Sequence, residues 1–324
     1  MDSSPLDPLD LKLLQALQID GRAPFSRIGE VLGVSDQTVA RRFRRLRAGA
    51  GLRVVGGIDE TRLGRASWMV RLRCTPDAAD RLAEALARRH DTSHIELIAG
   101  GTEVLCSMKP HSEKERDDLL FGRLPRTPRV VSVTAQCLLH KFYGGPLGWL
   151  AKIRALDAGQ EAALRPPPVE AAARPVALDR DDEALLALLR RDGRTTFSEL
   201  QSATGQSETA VKRRVERLRA CGVLYFDVQY DKDLLGPGVV AMLWLTVAPA
   251  ALAAVGQALA DHPEVRFAAA VTGQANMVAS VLVPDTEGLY RYLSERIGAL
   301  DGIQSVETSL TLRQIKYLTY EPAR

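Results

Sequence analysis

Two arginine-rich stretches hold the side chains best suited to chemistry on another molecule. Arg41, Arg42, Arg44 and Arg45 crowd one of them, with Gln37 and Thr38 just before; Lys212, Arg213, Arg214 and Arg217 crowd the other, with Thr209 before them. Arginine and glutamine make bidentate hydrogen bonds to base edges, and flanking cations suit phosphate oxygens. The plain alternative is a solvated basic face, common in an arginine-rich chain. What weighs against it is that the stretch occurs twice in the same setting.

That setting is a duplication without an internal gap. Gly21 falls on Gly193, Phe25 on Phe197, Ser26 on Ser198, Gly33 on Gly205, Ser35 on Ser207, Arg41-Arg42 on Arg213-Arg214 and Leu46 on Leu218. In each copy a first helix (Leu9 to Leu17; Asp181 to Leu189) is expected to close at an Asp-Gly pair, with glycine in the left-handed conformation. A second helix follows over Ser26 to Leu32 and Ser198 to Thr204. Gly33 and Gly205 make the turn, and Ser35 and Ser207 stand where an N-cap hydroxyl starts a third helix. This is the pattern of a winged helix-turn-helix, whose third helix lies in a DNA major groove.

Helical spacing buries Val39, Phe43 and Leu46 and turns Gln37, Arg41 and Arg44 outward, with Arg45 on the flank and Arg42 nearer the core edge. The second copy buries Val211, Val215 and Leu218 and exposes Thr209, Arg213 and Glu216, with Lys212 and Arg217 beside them. Glu216 replaces Arg44. An acid faces phosphates badly but accepts from cytosine N4, so the first copy is expected to bind more tightly.

A net charge of only +3 over 324 residues confines basicity to these helices. The four cysteines form no CxxC pair, which points to free thiols and no metal site. No apolar run is long enough for a membrane span, and the start has no signal-peptide core. A cytoplasmic location without membrane contact is expected.

A looser duplication follows each reading module. Leu52 to Ile58 and Leu224 to Tyr230 read as wings. The first copy then alternates strand Trp68 to Arg73, helix Asp77 to Arg89, strands His94 to Ala99 and Glu103 to Met108, helix Glu113 to Phe121 and strand Arg129 to Phe142. The second gives Val239 to Val247, helix Pro249 to Asp261, Val265 to Thr272, Met277 to Val283, helix Thr286 to Leu300 and Ile303 to Ile315. That order is βαββαβ, a ferredoxin-like sheet covered on one face by two helices. Its other face is apolar too (Val240, Met242, Trp244), so a partner should pack there. Ala151 to Pro175, with Arg165-Pro166-Pro167-Pro168, reads as a stiff spacer. The expected class is α+β, a tandem of the two modules: reading modules over 1–62 and 177–233, sheet modules over 63–146 and 234–324, and a linker over 147–176.

The tandem resembles the Lrp/AsnC (feast/famine) family of transcriptional regulators. The resemblance rests on Leu9-Asp10, Asp20-Gly21-Arg22, Ile28-Gly29, Leu32-Gly33-Val34-Ser35, Arg41-Arg42 and Leu46, on their second-copy partners, and on Val271 to Met277. The last looks like the family's Thr-Gly-x-x-Asp segment in its effector (RAM) domain. The resemblance implies a double-length bacterial form that binds double-stranded DNA, needs no cofactor and is not an enzyme. It also implies pairing through the effector sheets, as an internal pseudo-dimer or a homo-oligomer, and an amino-acid effector at the loops. Thr272, Gly273 and Asn276 are the candidates, with Gly100, Gly101 and Glu103 in the first copy. Asn276 stands where the family has an acid. The constant offset sets Val104 against it, while chemistry prefers Glu103. Both loops also read as plain hairpin turns.

Siroheme decarboxylases resemble the same modules, and such an enzyme would gather histidines around a tetrapyrrole. Of the five here (His90, His94, His111, His140, His262), His90 and His262 match at helix ends, where a cation suits the helix dipole. The decarboxylase is the second reading, and a ligand sensor that has lost DNA binding is the third.

Overall fold

The computed structural model describes residues 6–146, 148–170, 174–231, 234, 236 and 238–319. In chain order the elements are α1 (Pro8–Ile19), α2 (Phe25–Leu32), α3 (Asp36–Gly49), β1 (Arg53–Ile58), β2 (Trp68–Cys74), α4 (Pro76–Ala87), β3 (Thr92–Ile98), β4 (Glu103–Met108), α5 (Glu113–Asp117), β5 (Val130–Tyr143) and α6 (Ala158–Leu164). They continue with α7 (Arg180–Arg191), α8 (Phe197–Thr204), α9 (Glu208–Ala220), β6 (Leu224–Gln229), β7 (Val239–Val247), α10 (Leu252–Asp261), β8 (Val265–Val271), β9 (Met277–Val283), α11 (Thr286–Arg291) and β10 (Ile303–Lys316). Two units result: Met1–Gly64 with Gly145–Gly236, and Arg65–Gly144 with Pro237–Arg324. Like modules have sorted together, so each unit contains one contribution from each copy.

In the first unit both three-helix modules share one apolar core. Leu13, Leu14, Leu17, Val39, Phe43 and Leu46 from one copy join Leu185, Leu186, Leu189, Val211, Val215 and Leu218 from the other. Capping boxes start the first helices: the Asp7 side chain accepts from the Asp10 N–H, and that of Asp179 from the Asp182 N–H. Gly33 and Gly205 close α2 and α8 in the left-handed region, at φ 69° and 70°. The expected wings pair with each other. β1 runs antiparallel to β6 across the copies, with Gly56 opposite Phe226, so each strand finds its backbone partner in the other module.

The Asp-Gly pairs do a different job from the one expected. α1 and α7 end on extended Asp20 and Asp192, at φ −141° and −143°, and neither Gly21 nor Gly193 has a positive φ. These glycines are needed for close approach. A Cβ on Gly21 would lie 2.6 Å from Val54 Cγ1 and 2.9 Å from Phe226 Cβ; one on Gly193 would lie 2.8 Å from Phe226 Cδ1. The Gly193 N–H donates to the Val54 carbonyl at 2.7 Å.

The linker is also more than a spacer. Leu150, Leu156 and Leu164 are buried in the shared core. Gln15, wholly buried on α1, holds the segment: its Oε1 accepts from the Ala155 and Leu156 N–H groups (2.7 and 2.9 Å), and its Nε2 donates to Glu161 at 2.7 Å. The extended proline run follows α6.

In the second unit each copy forms the expected four-stranded sheet, and the two sheets join edge to edge. The strands close into a barrel, β10-β3-β4-β2-β5-β8-β9-β7, in which β10 pairs with β3 and β5 with β8. The apolar face that lacked a cover therefore meets its counterpart from the other copy. Met69, Ile98 and Leu105 pack with Met242, Trp244, Ala269, Val271 and Val278 inside, while Val240 stays half-buried. α4 packs outside the first sheet and α10 outside the second. α5 and α11 are shorter than expected because each passes into a π-turn, over Asp118–Arg123 and Tyr292–Ile297.

Candidate nucleic-acid interface

The third helices divide their cations into two groups. Val39, Phe43 and Leu46 anchor α3 in the core, and Val211, Val215 and Leu218 anchor α9. Next to each stripe, two arginines turn back onto the first helix. Arg42 donates to Asp7 and Asp10, and Arg45 to the same wholly buried Asp10. Arg214 donates to Asp179, Asp181 and Asp182 (2.7, 3.0 and 2.9 Å), and Arg217 to Asp182 at 2.5 Å. The Arg42 hydrogen bond holds the Asp7 carboxyl below the usual carboxylate range, and Arg214 does the same for Asp179. These four arginines tie the third helix to the first, a pairing the sequence spacing did not disclose.

Gln37, Arg41 and Arg44 on α3 point away from the core and are exposed, as are Thr209, Lys212, Arg213 and Glu216 on α9. Among the described residues neither Arg41 nor Arg213 has an ion pair, while Arg44 Nε donates to the Ala40 carbonyl at 3.3 Å. The serine hydroxyls cap their helices: Ser35 Oγ accepts from the Thr38 N–H and contacts the Thr38 hydroxyl, and Ser207 Oγ accepts from the Ala210 N–H. Each helix thus presents a polar N-terminal half with uncommitted cations, the geometry needed to read a groove.

The effector loops are held from within. Gly273 (φ 110°), Gly100 (φ 69°) and Gly101 (φ 81°) all take positive φ, which a turn alone explains. Thr272 exchanges hydrogen bonds with Cys137: its N–H donates to the Cys137 carbonyl and its Oγ1 accepts from the Cys137 N–H, both at 2.9 Å. Gln136 Nε2 donates to the Thr272 and Ala275 carbonyls. The Asn276 amide mimics a strand, with Oδ1 accepting from the Val247 N–H at 2.9 Å and Nδ2 donating to the Val247 carbonyl at 2.8 Å.

Met69 and Leu105 face the barrel interior, as do Met242 and Val278; matching the Arg71–Leu105 pair to Trp244–Val278 on that face sets Glu103, and not Val104, against Asn276. Arg71 and Trp244 meet in the barrel, the guanidinium 4.3 Å over the indole ring. Arg71 also pairs with Glu103 and, at 2.6 Å, with Glu307; Arg73 reaches Glu103 at 3.5 Å.

Apart from His90 and His111, which lie together, the histidines have separate local surroundings. His262 is buried with Nδ1 3.0 Å from Tyr292 Oη. His94 packs edge-on against Tyr317, and burial lowers its pKa to about 3. His140 lies against Phe142, and His90 against His111. The four cysteines are free thiols, and burial raises that of Cys106 to about 12. Among the described residues no helix is long and apolar enough to cross a membrane.

The profile of the AsnC-type helix-turn-helix domain matches residues 6–47 and 178–219, and that of the Lrp/AsnC ligand binding domain matches 240–320. An uncharacterised HTH-type transcriptional regulator of Pyrococcus horikoshii is 36% identical over 138 residues, covering 42% of this chain and 87% of that protein. The HTH-type transcriptional regulator LrpA of the same organism is 29% identical over 140 residues, covering 43% of this chain and 99% of LrpA. Among solved structures, siroheme decarboxylase NirDL matches 97% of this chain and 94% of its own with a TM-score of 0.64. At 15% identity that likeness is one of fold. With both reading modules and a sheet module matched, the chain belongs to the Lrp/AsnC family of helix-turn-helix transcriptional regulators.

Proposed function

We propose that this regulator grips double-stranded DNA with two unequal reading helices carried on one chain. The observation behind this is the split of each arginine cluster. Arg42, Arg45, Arg214 and Arg217 are committed to the first helices, while Arg41 and Arg213 have no ion pair among the described residues and face out. Gln37, Thr38, Arg41 and Arg44 would contact one half-site, and Thr209, Lys212 and Arg213 the other. Ser35 and Ser207 set the helix starts close to phosphate. The two halves differ chiefly where Arg44 is replaced by Glu216, which favours cytosine over a phosphate or guanine contact.

The chain acts without an enzymatic step, in the cytoplasm, as its own pseudo-dimer. The reading also leaves out an amino-acid effector. The one carboxylate among the six effector-loop candidates, Glu103, is held by Arg71 and Arg73, and the Asn276 amide is held by Val247, so an ammonium group would have to break an existing pair.

Selection from random duplexes tests the proposal. It should recover a motif whose halves differ, bound with a steep salt dependence from counterion release. A salt-independent signal or no enriched motif would count against it. A Soret shift saturating at one equivalent of added siroheme would replace the regulator with the enzyme.

A further inference from the structure

We propose that His90, His111 and Glu115 form a binding site for a divalent cation of the zinc type. His90 follows α4 at the turn into β3, His111 immediately precedes the Ser112 N-cap of α5, and Glu115 lies in the first turn of α5. One ligand atom from each lies within 4.8 Å of the other two. His90 Nε2 is 3.8 Å from Glu115 Oε1, and the two imidazole centroids are 5.3 Å apart.

Two features prepare the set for a metal. The His111 backbone N–H donates to Glu115 Oε2 at 2.8 Å. That bond fixes the carboxylate and leaves Oε1 toward His90, as outer hydrogen bonds orient metal ligands elsewhere. The two loops are also already joined, since the Lys109 N–H donates to the Asp91 carbonyl at 2.7 Å. A metal therefore only has to draw in side chains, and both histidines are exposed enough to rotate.

Two imidazoles and one carboxylate suit Zn²⁺, Co²⁺ or Ni²⁺, whereas Ca²⁺ and Mg²⁺ require more oxygen ligands. Water would complete the coordination on the open side. The second copy has no equivalent. Its matching His262 is buried against Tyr292, and no other histidine stands in that half of the chain. The site is therefore a feature of the first copy alone, independent of the DNA-reading proposal.

Titration of tag-free protein with Co²⁺ tests the site. The expected result is one equivalent bound with ligand-field bands, no thiolate charge-transfer band, and a dissociation constant raised at least tenfold by His90→Ala or His111→Ala. Glu115→Gln should weaken binding as well. Three results would overturn the site: no saturable binding, unchanged binding in the His90→Ala/His111→Ala double variant, or a thiolate band showing that cysteines take the ion.

Discussion

Arg22 and Arg194 occupy the same position in the two copies, and each is anchored in the other. Arg22 donates to the Gly193 and Thr195 carbonyls at 2.7 and 3.0 Å and lies over the Phe197 ring. Arg194 donates to the Gly21 and Ala23 carbonyls at 2.7 and 3.1 Å and lies over the Phe25 ring. Burial lowers both guanidinium pKa values, that of Arg22 to about 10, so both stay charged near neutrality.

This exchange predicts that either arginine matters more to stability than any exposed one. Charge-assisted hydrogen bonds to carbonyls contribute roughly 1.5–3 kcal/mol, and stacking over a ring adds about 0.5–2. Arg194→Ala should therefore cost about 2–5 kcal/mol in urea unfolding. Arg194→Lys should restore only part of the loss, because an ammonium cannot match the planar fork. A loss below about 0.5 kcal/mol would fall within the range of ordinary surface substitutions and contradict the anchor.

Neighbouring arginines should separate stability from DNA binding. Arg42→Ala leaves the wholly buried Asp10 with Arg45 as its one cation, beside the Asp7 N–H, and a loss of about 1–3 kcal/mol is expected, below the full penalty for an unpaired buried acid. Arg41→Ala removes no ion pair found among the described residues and should leave the thermal midpoint unchanged. Calorimetry on both variants checks the split; a drop in midpoint for Arg41→Ala equal to that for Arg42→Ala would contradict it.

His94 sets a pH dependence of its own. Its folded pKa of about 3 lies below the ordinary imidazole value of 6.5, so the unfolded chain binds the extra proton. The stability His94 contributes is complete above pH 6.5 and falls as the pH drops toward 3. By pH 5 the loss should reach about 1–2 kcal/mol. Unfolding at pH 7 and pH 5 should show this slope in the native protein and a flatter one in His94→Gln. Equal slopes would place His94 in a solvated setting.

Amino acids should not stabilise the protein, because Asn276 and Glu103 are already paired. Thermal melts with each of the common amino acids should stay within error of the melt without ligand. A saturable rise in midpoint that Asn276→Ala abolishes would reinstate the loop as an effector site.

The duplicated modules were legible because their offset never changes, and the buried stripes of the third helices and the ferredoxin-like strand order because each follows a short period in the sequence. Pairings between copies were not. That β1 would pair with β6, that Gly21 would serve close approach to Phe226 and Gly193 to Val54, and that Arg22 would reach Gly193 all depend on contacts more than a hundred residues apart. The interface was half legible. Periodicity placed Arg41 and Arg213 outside, but Arg42 and Arg45 lie on the same stretch of α3 as Arg41 and differ in having carboxylates of the first helix and its cap within reach. The linker was misread because prolines dominate its composition, while its three buried leucines and their partner Gln15 give no periodic signal.

The claim that two reading helices on one chain hold DNA is tested most directly by fluorescence anisotropy on a selected duplex. Wild type would be compared with the Arg41→Ala/Arg213→Ala double variant, with thermal midpoints measured alongside. Each lost bidentate contact is worth about 1–3 kcal/mol, so the double variant should bind roughly 30- to 25,000-fold more weakly at an unchanged midpoint. Equal affinity of the two proteins for that duplex would contradict the account.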